Sequence, residues 1–194
     1  MLQEKTGFEQ EVENALKALR LGGVILYPTD TIWGLGCDAT NESAVDKIYQ
    51  IKHRPENKSM IVLVATPRDI LKYVAAPTPE VWDIVERAEE PLTVIYPGGI
   101  GLAPQLLDEE GNVAIRVVKD EFCFHLIKRL RYPLVSTSAN ISGMPFPENF
   151  HQIDQKILNA VDYVVNYRRD DVEKKKPSRI IKLEKNGAIT TIRE

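Results

Sequence analysis

Apolar and polar positions switch repeatedly between helical and extended spacing, and the switches mark out an α/β pattern. Across 9–21, Val12, Ala15, Leu16 and Leu19 recur at helical spacing, and Gly22 offers a C-terminal stop. Residues 24–27 are apolar β-formers between Gly22-Gly23 and Pro28, which predicts a buried strand. The polar run Thr29-Asp30-Thr31 follows, then a second extended piece at 33–37. Asn41 or Ser43 is expected to cap a helix whose buried face is Ala44, Val45, Ile48 and Ile51, with Pro55 ending it. Unbroken apolar residues at 60–64 predict a strand covered on both faces. Thr66-Pro67-Arg68-Asp69 reads as a helix start, with a cap, a proline at the first position and an acid in the first turn. Thr78-Pro79-Glu80 repeats the device and opens a helix with Val81, Trp82 and Val85 inward.

In the second half, strands are expected at 92–96 and 113–118, and Phe122, Leu126, Ile127 and Leu130 form the apolar face of a helix. Leu134 and Val135 make a short strand running into a hydroxyl-rich stretch. A weak helix at 152–159, a strand at 163–165 and a charge run at 168–176, read as solvated, come next. Two strands, 180–183 and 188–192, close the chain as a hairpin around Asn186-Gly187. With no repeat and no dividing linker, this irregular alternation predicts a single α/β domain over 1–194, its sheet mixed and twisted rather than regularly doubly wound.

Bulk properties narrow the field. A chain of 194 residues can bury roughly 70% of its unfolded surface, so it needs no disulfide or metal staple. A net charge of -3 provides no global attraction to nucleic acid or anionic membrane, and any anion site must be local. Cys37 and Cys123 form no CxxC or metal spacing and are expected as unpaired buried thiols. The N-terminal residues lack an apolar signal core, and no window approaches the roughly 20 apolar residues of a membrane span. The expectation is a soluble, cytoplasmic protein with no membrane partner.

Three polar groupings interrupt the apolar pattern. Lys52 and Arg54 end a predicted helix, where the macrodipole already favours cations, and a solvated turn would explain them. Lys58, and Ser59 at the mouth of a buried strand, favour a second reading: three donors near a strand end, where α/β sheets bind ligands. Arginine can grip phosphate or carboxylate bidentately, and lysine supplies a point charge. The run Ser136-Thr137-Ser138-Ala139-Asn140-Ile141-Ser142 carries more hydrogen-bonding side chains than one turn requires. Arg116 sits inside a predicted strand and needs an anionic partner unless it faces solvent. Gly34-Leu35-Gly36 is not GxGxxG, no P-loop exists, and His53, His125 and His151 lack metal spacing, so no metal site is expected. No GxSxG elbow marks a nucleophile. The residues describe a site that binds and orients anions.

YPTDTIWGLGCD, KHRPENKSMIVLV and PLVSTSANISG, with the later PSRI, resemble the YrdC/Sua5 family of threonylcarbamoyl-AMP synthases over roughly 22–193. The length is similar to the short, single-domain type. The resemblance implies a mixed twisted sheet around a positively charged cavity. It implies a reaction in which L-threonine, bicarbonate and ATP, with Mg2+, give L-threonylcarbamoyladenylate and pyrophosphate. A downstream threonylcarbamoyl-transferase complex would place the group on adenosine 37 of tRNA, and contact with tRNA or double-stranded RNA is among the implied partners. By motif, Lys52 and Arg54 are the implied catalytic cations, with Arg54 and Lys58 on ATP phosphates. Ser138, Asn140, Asn112, Phe146 and Arg193 fall on the nucleotide side, and Thr31, Arg116 and Ser136 on the threonine side. The chain departs from many relatives in having Pro177-Ser178-Arg179 for PST and AEEPLT for WPGPLT. Two other classes compete: an RNA-binding module without catalysis, and a carbamoyl-adenylate-forming domain fed by carbamoyl phosphate.

Overall fold

The computed structural model describes residues 7–54, 60–76, 79–184 and 186–194. Its strands are β1 (Ile25–Tyr27), β2 (Gly34–Gly36), β3 (Ile61–Val64), β4 (Leu92–Tyr96), β5 (Val113–Val117), β6 (Leu134–Ser138), β7 (Tyr163–Val164), β8 (Arg179–Leu183) and β9 (Ile189–Arg193). The helices are α1 (Gly7–Arg20), α2 (Glu42–Lys52), α3 (Pro79–Arg87), α4 (Glu121–Leu130) and α5 (Gln155–Ala160). All the strands join one sheet in the order β7-β1-β2-β6-β3-β5-β4-β8-β9. The pairs β1–β7, β3–β5 and β4–β8 are parallel and the rest antiparallel, so the sheet is mixed.

Burial on both faces explains why the strands read as unbroken apolar runs. Successive side chains of a strand point to opposite faces. Ile25 and Tyr27 of β1 and Leu63 of β3 pack with the apolar sides of α1 and α4. Leu26, Val62 and Val64 belong to the larger core, with α2, Val81 of α3 and Ile157 of α5. Both cysteines are buried and unpaired.

Local chemistry accounts for the element ends and for several departures from expectation. Asn41, not Ser43, caps α2 by accepting from the Ala44 amide at 3.1 Å. The helix stops at His53, which adopts a left-handed φ of 48° and returns its amide to the last turn. Pro55, the expected stop, lies outside the described residues. Thr66 and Asp69 form a reciprocal capping box, but the turn they open (Pro67–Lys72) is a 3-10 helix rather than an α-helix. Ile51, Trp82 and Val85, expected inward, do pack against the larger core, though each is only partly buried. The expected helix at 152–159 divides into a 3-10 turn, Phe150–Gln152, and α5. The charge run at 168–176 is not wholly solvated, because Arg168 and Arg169 fold back onto the domain.

One close approach fixes the sheet beside the hydroxyl-rich strand. A Cβ on Gly36 would stand 2.6 Å from both Tyr27 Cε1 and the Val135 carbonyl oxygen. Gly36→Ala should therefore destabilise the protein by about 1–3 kcal/mol through overpacking, read as a lower urea midpoint with an unchanged slope.

Candidate functional site

A cavity of about 370 Å³ opens where the ends of several strands meet. Strand pairing assembles it. β6 lies between β2 and β3, with Ser138 opposite Gly34 and Ser136 opposite Ile61. β5 runs beside β3 and places Arg116 level with Leu63 and, across β4, with Thr93. Gly34 keeps the wall low, since a Cβ there would stand 3.3 Å from Ser136 Oγ. Thr31, Trp33, Arg116 and Ser136 are among the residues that line the hollow. Arg54, Ser138, Phe146, Ser178 and Arg193 line it as well. Three arginines and no acid are among its lining residues.

Arg116 is the most constrained of them. It is 3% exposed, which excludes the solvent-face reading. Its Nη1 donates to Thr31 Oγ1 at 3.2 Å. Its Nη2 lies 3.0 Å from Asp30 Oδ1, an ion pair by distance whose angle is too far off line for a hydrogen bond. Nε and Nη2 of Arg116 and Oδ1 of Asp30 consequently have no hydrogen-bond partner among the described residues. A buried guanidinium with unspent donors on a cavity wall invites an acceptor.

Thr31 has its one proton committed. Thr29 Oγ1 donates to the Ile32 carbonyl at 2.8 Å and stands 2.9 Å from Thr31 Oγ1. A hydroxyl has one proton, so Thr31 must donate to Thr29 and accept from Arg116. Arg193 donates Nε and Nη2 to the Ser178 carbonyl at 3.0 and 2.7 Å. Burial, and then the charge of Arg116, pull the Arg193 guanidinium below its ordinary value, and burial does the same to Arg54. Cations crowded into a partly buried hollow are relieved by an anion.

The other expected site residues are placed differently. Lys52 is 1% exposed and is not on the cavity wall. Its ammonium donates to the Ser138 and Asn140 carbonyls, the latter at 2.7 Å, and so ties the end of α2 to the loop after β6. Burial and then the neighbouring Arg54 push it down to about 7. Asn140 is not among the lining residues, and its Nδ2 donates to the Ile141 and Met144 carbonyls at 3.1 and 2.5 Å. Asn112 is buried in its own turn, where its side chain donates to Asp108 and Glu110 at 2.8 and 3.2 Å. Lys58 lies outside the described residues. Two residues that pattern reading did not single out belong with the site. Asp30 is the acid beside Arg116, and Ser178, buried against Thr93 at 2.8 Å, holds Arg193. A lone acid in a polar turn and a lone serine after a proline carry no distinguishing pattern of their own.

A family profile described as "Telomere recombination", spanning the Sua5, YciO and YrdC proteins, matches residues 17–194. The chain belongs to the Sua5/YciO/YrdC family. Among curated members of that family, the threonylcarbamoyl-AMP synthase of Stenotrophomonas maltophilia is 32% identical over 161 residues, 81% of this chain and 87% of that protein. Among solved structures, Sua5 of P. abyssi complexed with L-threonine superposes with a TM-score of 0.84 at 23% identity. That match covers 98% of this chain but 55% of the Sua5 chain, so this chain spans about half of Sua5. YciO of E. coli, at a TM-score of 0.83 and 21% identity, matches over 98% of this chain and 91% of its own. These two likenesses concern the Sua5/YciO/YrdC fold.

Proposed function

We propose that this chain is an L-threonylcarbamoyladenylate synthase, which condenses L-threonine, bicarbonate and ATP and releases pyrophosphate. The relatives that carry this name at about a third identity over most of the chain support the reading. The observation that carries it is the cavity, in which Arg54, Arg116 and Arg193 converge with Ser136 and Ser138 and, among the described residues, no lining acid. Such a set suits a substrate pair that brings a triphosphate and a carboxylate into one hollow.

In this reading the threonine amine, as the free base, adds to carbon dioxide drawn from bicarbonate and loses a proton, giving a carbamate. A carbamate oxygen attacks the α-phosphorus, the bond from that phosphorus to the bridging oxygen breaks, and pyrophosphate leaves with the electron pair. The residues need only orient and neutralise. Arg116, held by Thr31 and Asp30, takes the threonine carboxylate beside Ser136. Arg54, Ser138 and Arg193 face the nucleotide, and Phe146 offers it an aromatic face. Magnesium arrives as part of the ATP complex. Among the described residues no group of three or more His, Cys, Asp and Glu side chains is placed to hold a metal. The adenylate then passes to a threonylcarbamoyl transferase acting on adenosine 37 of tRNA, in the cytoplasm. The described residues include no helix long and apolar enough to cross a membrane.

Pyrophosphate release from ATP tests the reading. It should require both L-threonine and bicarbonate, with L-serine and carbamoyl phosphate as controls. Release driven by carbamoyl phosphate alone, or none with threonine, would reject it. Arg54→Ala should lower turnover about 100-fold while the melting temperature stays within a few degrees, since Arg54 lies on the cavity wall.

A further inference from the structure

The charged segment after β7 begins with a clasp. Arg168 sits at φ 56°, a left-handed conformation that residues with side chains rarely adopt. Its side chain is 24% exposed and reaches two anchors. Nη1 donates to Asp120 Oδ2 at 2.6 Å and Nη2 to the Thr29 carbonyl at 2.8 Å. Asp120 is itself fixed, because its Oδ1 caps α4 by accepting from the Cys123 amide at 2.9 Å. Thr29 immediately precedes Asp30 and Thr31, the two residues that hold Arg116. Beyond the clasp, Lys174 pairs with Glu148 at 3.2 Å, and Pro177 and Ser178 join the cavity wall.

We propose that Arg168 is a positioning residue for Arg116: it fixes the turn at 29–31 so that Asp30 and Thr31 present the Arg116 guanidinium to the amino-acid substrate. The inference rests on the functional reading above. The α4 cap and a buried carbonyl are the fixed points, and the Arg168 guanidinium spans both. Its contacts run to the turn that holds Arg116, whereas Arg54 follows α2 and Ser138 ends β6. Loss of Arg168 therefore weakens threonine use and spares ATP.

Two variants of the full chain test this. Arg168→Gln keeps a side chain of similar reach. Arg168→Gly removes the clasp while suiting the positive φ, so backbone strain cannot account for its behaviour. Pyrophosphate release is measured with each substrate varied in turn. The threonine KM should rise about tenfold in both variants, with the ATP KM and kcat within about threefold of the parent. Free guanidinium should partly restore the threonine KM of Arg168→Gly. An unchanged threonine KM, or equal rises for both substrates, overturns the inference while leaving the functional reading intact. Failure of both variants to fold assigns a structural role instead and also overturns it. A parent protein that releases no pyrophosphate with threonine overturns the functional reading, and this inference with it.

Discussion

Arg116→Lys should cut kcat/KM for threonine by about two to three orders of magnitude, the range expected when a buried charged contact loses its geometry. Lysine keeps the charge but not the planar fork, and it cannot reach Thr31 and Asp30 while also offering paired donors to a carboxylate. In the folded protein Nη1 already donates to Thr31 Oγ1 at 3.2 Å, while Nη2 faces Asp30 at 3.0 Å without a hydrogen bond. What remains, Nε and Nη2, is the part without hydrogen bonds, and it is the part a substrate would take. Arg116→Ala would confuse the result, because leaving Asp30 buried and unpaired costs about 3–5 kcal/mol of stability. The cleaner comparison adds Asp30→Asn to Arg116→Gln. That pair should regain stability without regaining activity, as read by thermal unfolding beside pyrophosphate release. Near-parental threonine use by Arg116→Lys would remove Arg116 from the carboxylate role.

The fold was legible because the central strands are buried on both sides. Apolar runs such as 24–27 and 60–64 betray themselves without any alignment, and the mixed sheet follows from the irregular order of elements and the closing hairpin. The same background made the site visible. Arg116 is conspicuous as a polar residue in an apolar strand, and Ser136 and Ser138 as part of a hydroxyl-rich run directly after one. Less legible was what each polar group does with its hydrogen bonds. Lys52 and Arg54 look alike in the sequence, yet one is sunk among carbonyls and the other lines the cavity. Asn112 spends its amide on its own turn, and nothing in a linear pattern separates that from a ligand contact. Arg168 was hidden for a different reason. A run of mixed charge usually is solvated, and only a long-range pairing with Asp120, at 2.6 Å, makes this arginine an exception.

The buried lysine makes the second large prediction. Lys52→Met fills nearly the same space but withdraws the donor shared by the Ser138 and Asn140 carbonyls. Stranding buried acceptors costs about 1–3 kcal/mol, partly offset because a buried ammonium no longer has to be desolvated. The protein should therefore still fold, with a modestly lower melting temperature. Turnover should fall at least about 100-fold, because the loop that carries Ser138 loses its tie to α2 and small misplacements of reacting groups are that costly. A pH effect separates this role from a purely structural one. Burial, followed by Arg54, holds the free-state ammonium at about 7 rather than its ordinary 10.5. A bound triphosphate supplies negative charge nearby and raises it again, so ATP binding above pH 7 must take up a proton. The sign follows: parental ATP affinity is greatest near and below pH 7 and weakens as pH rises above it. Titration calorimetry at pH 8 in buffers of different ionisation enthalpy should report that uptake in the parent and its loss in Lys52→Met. Equal proton uptake by both would place the titrating group elsewhere, and would leave Lys52 with the loop alone.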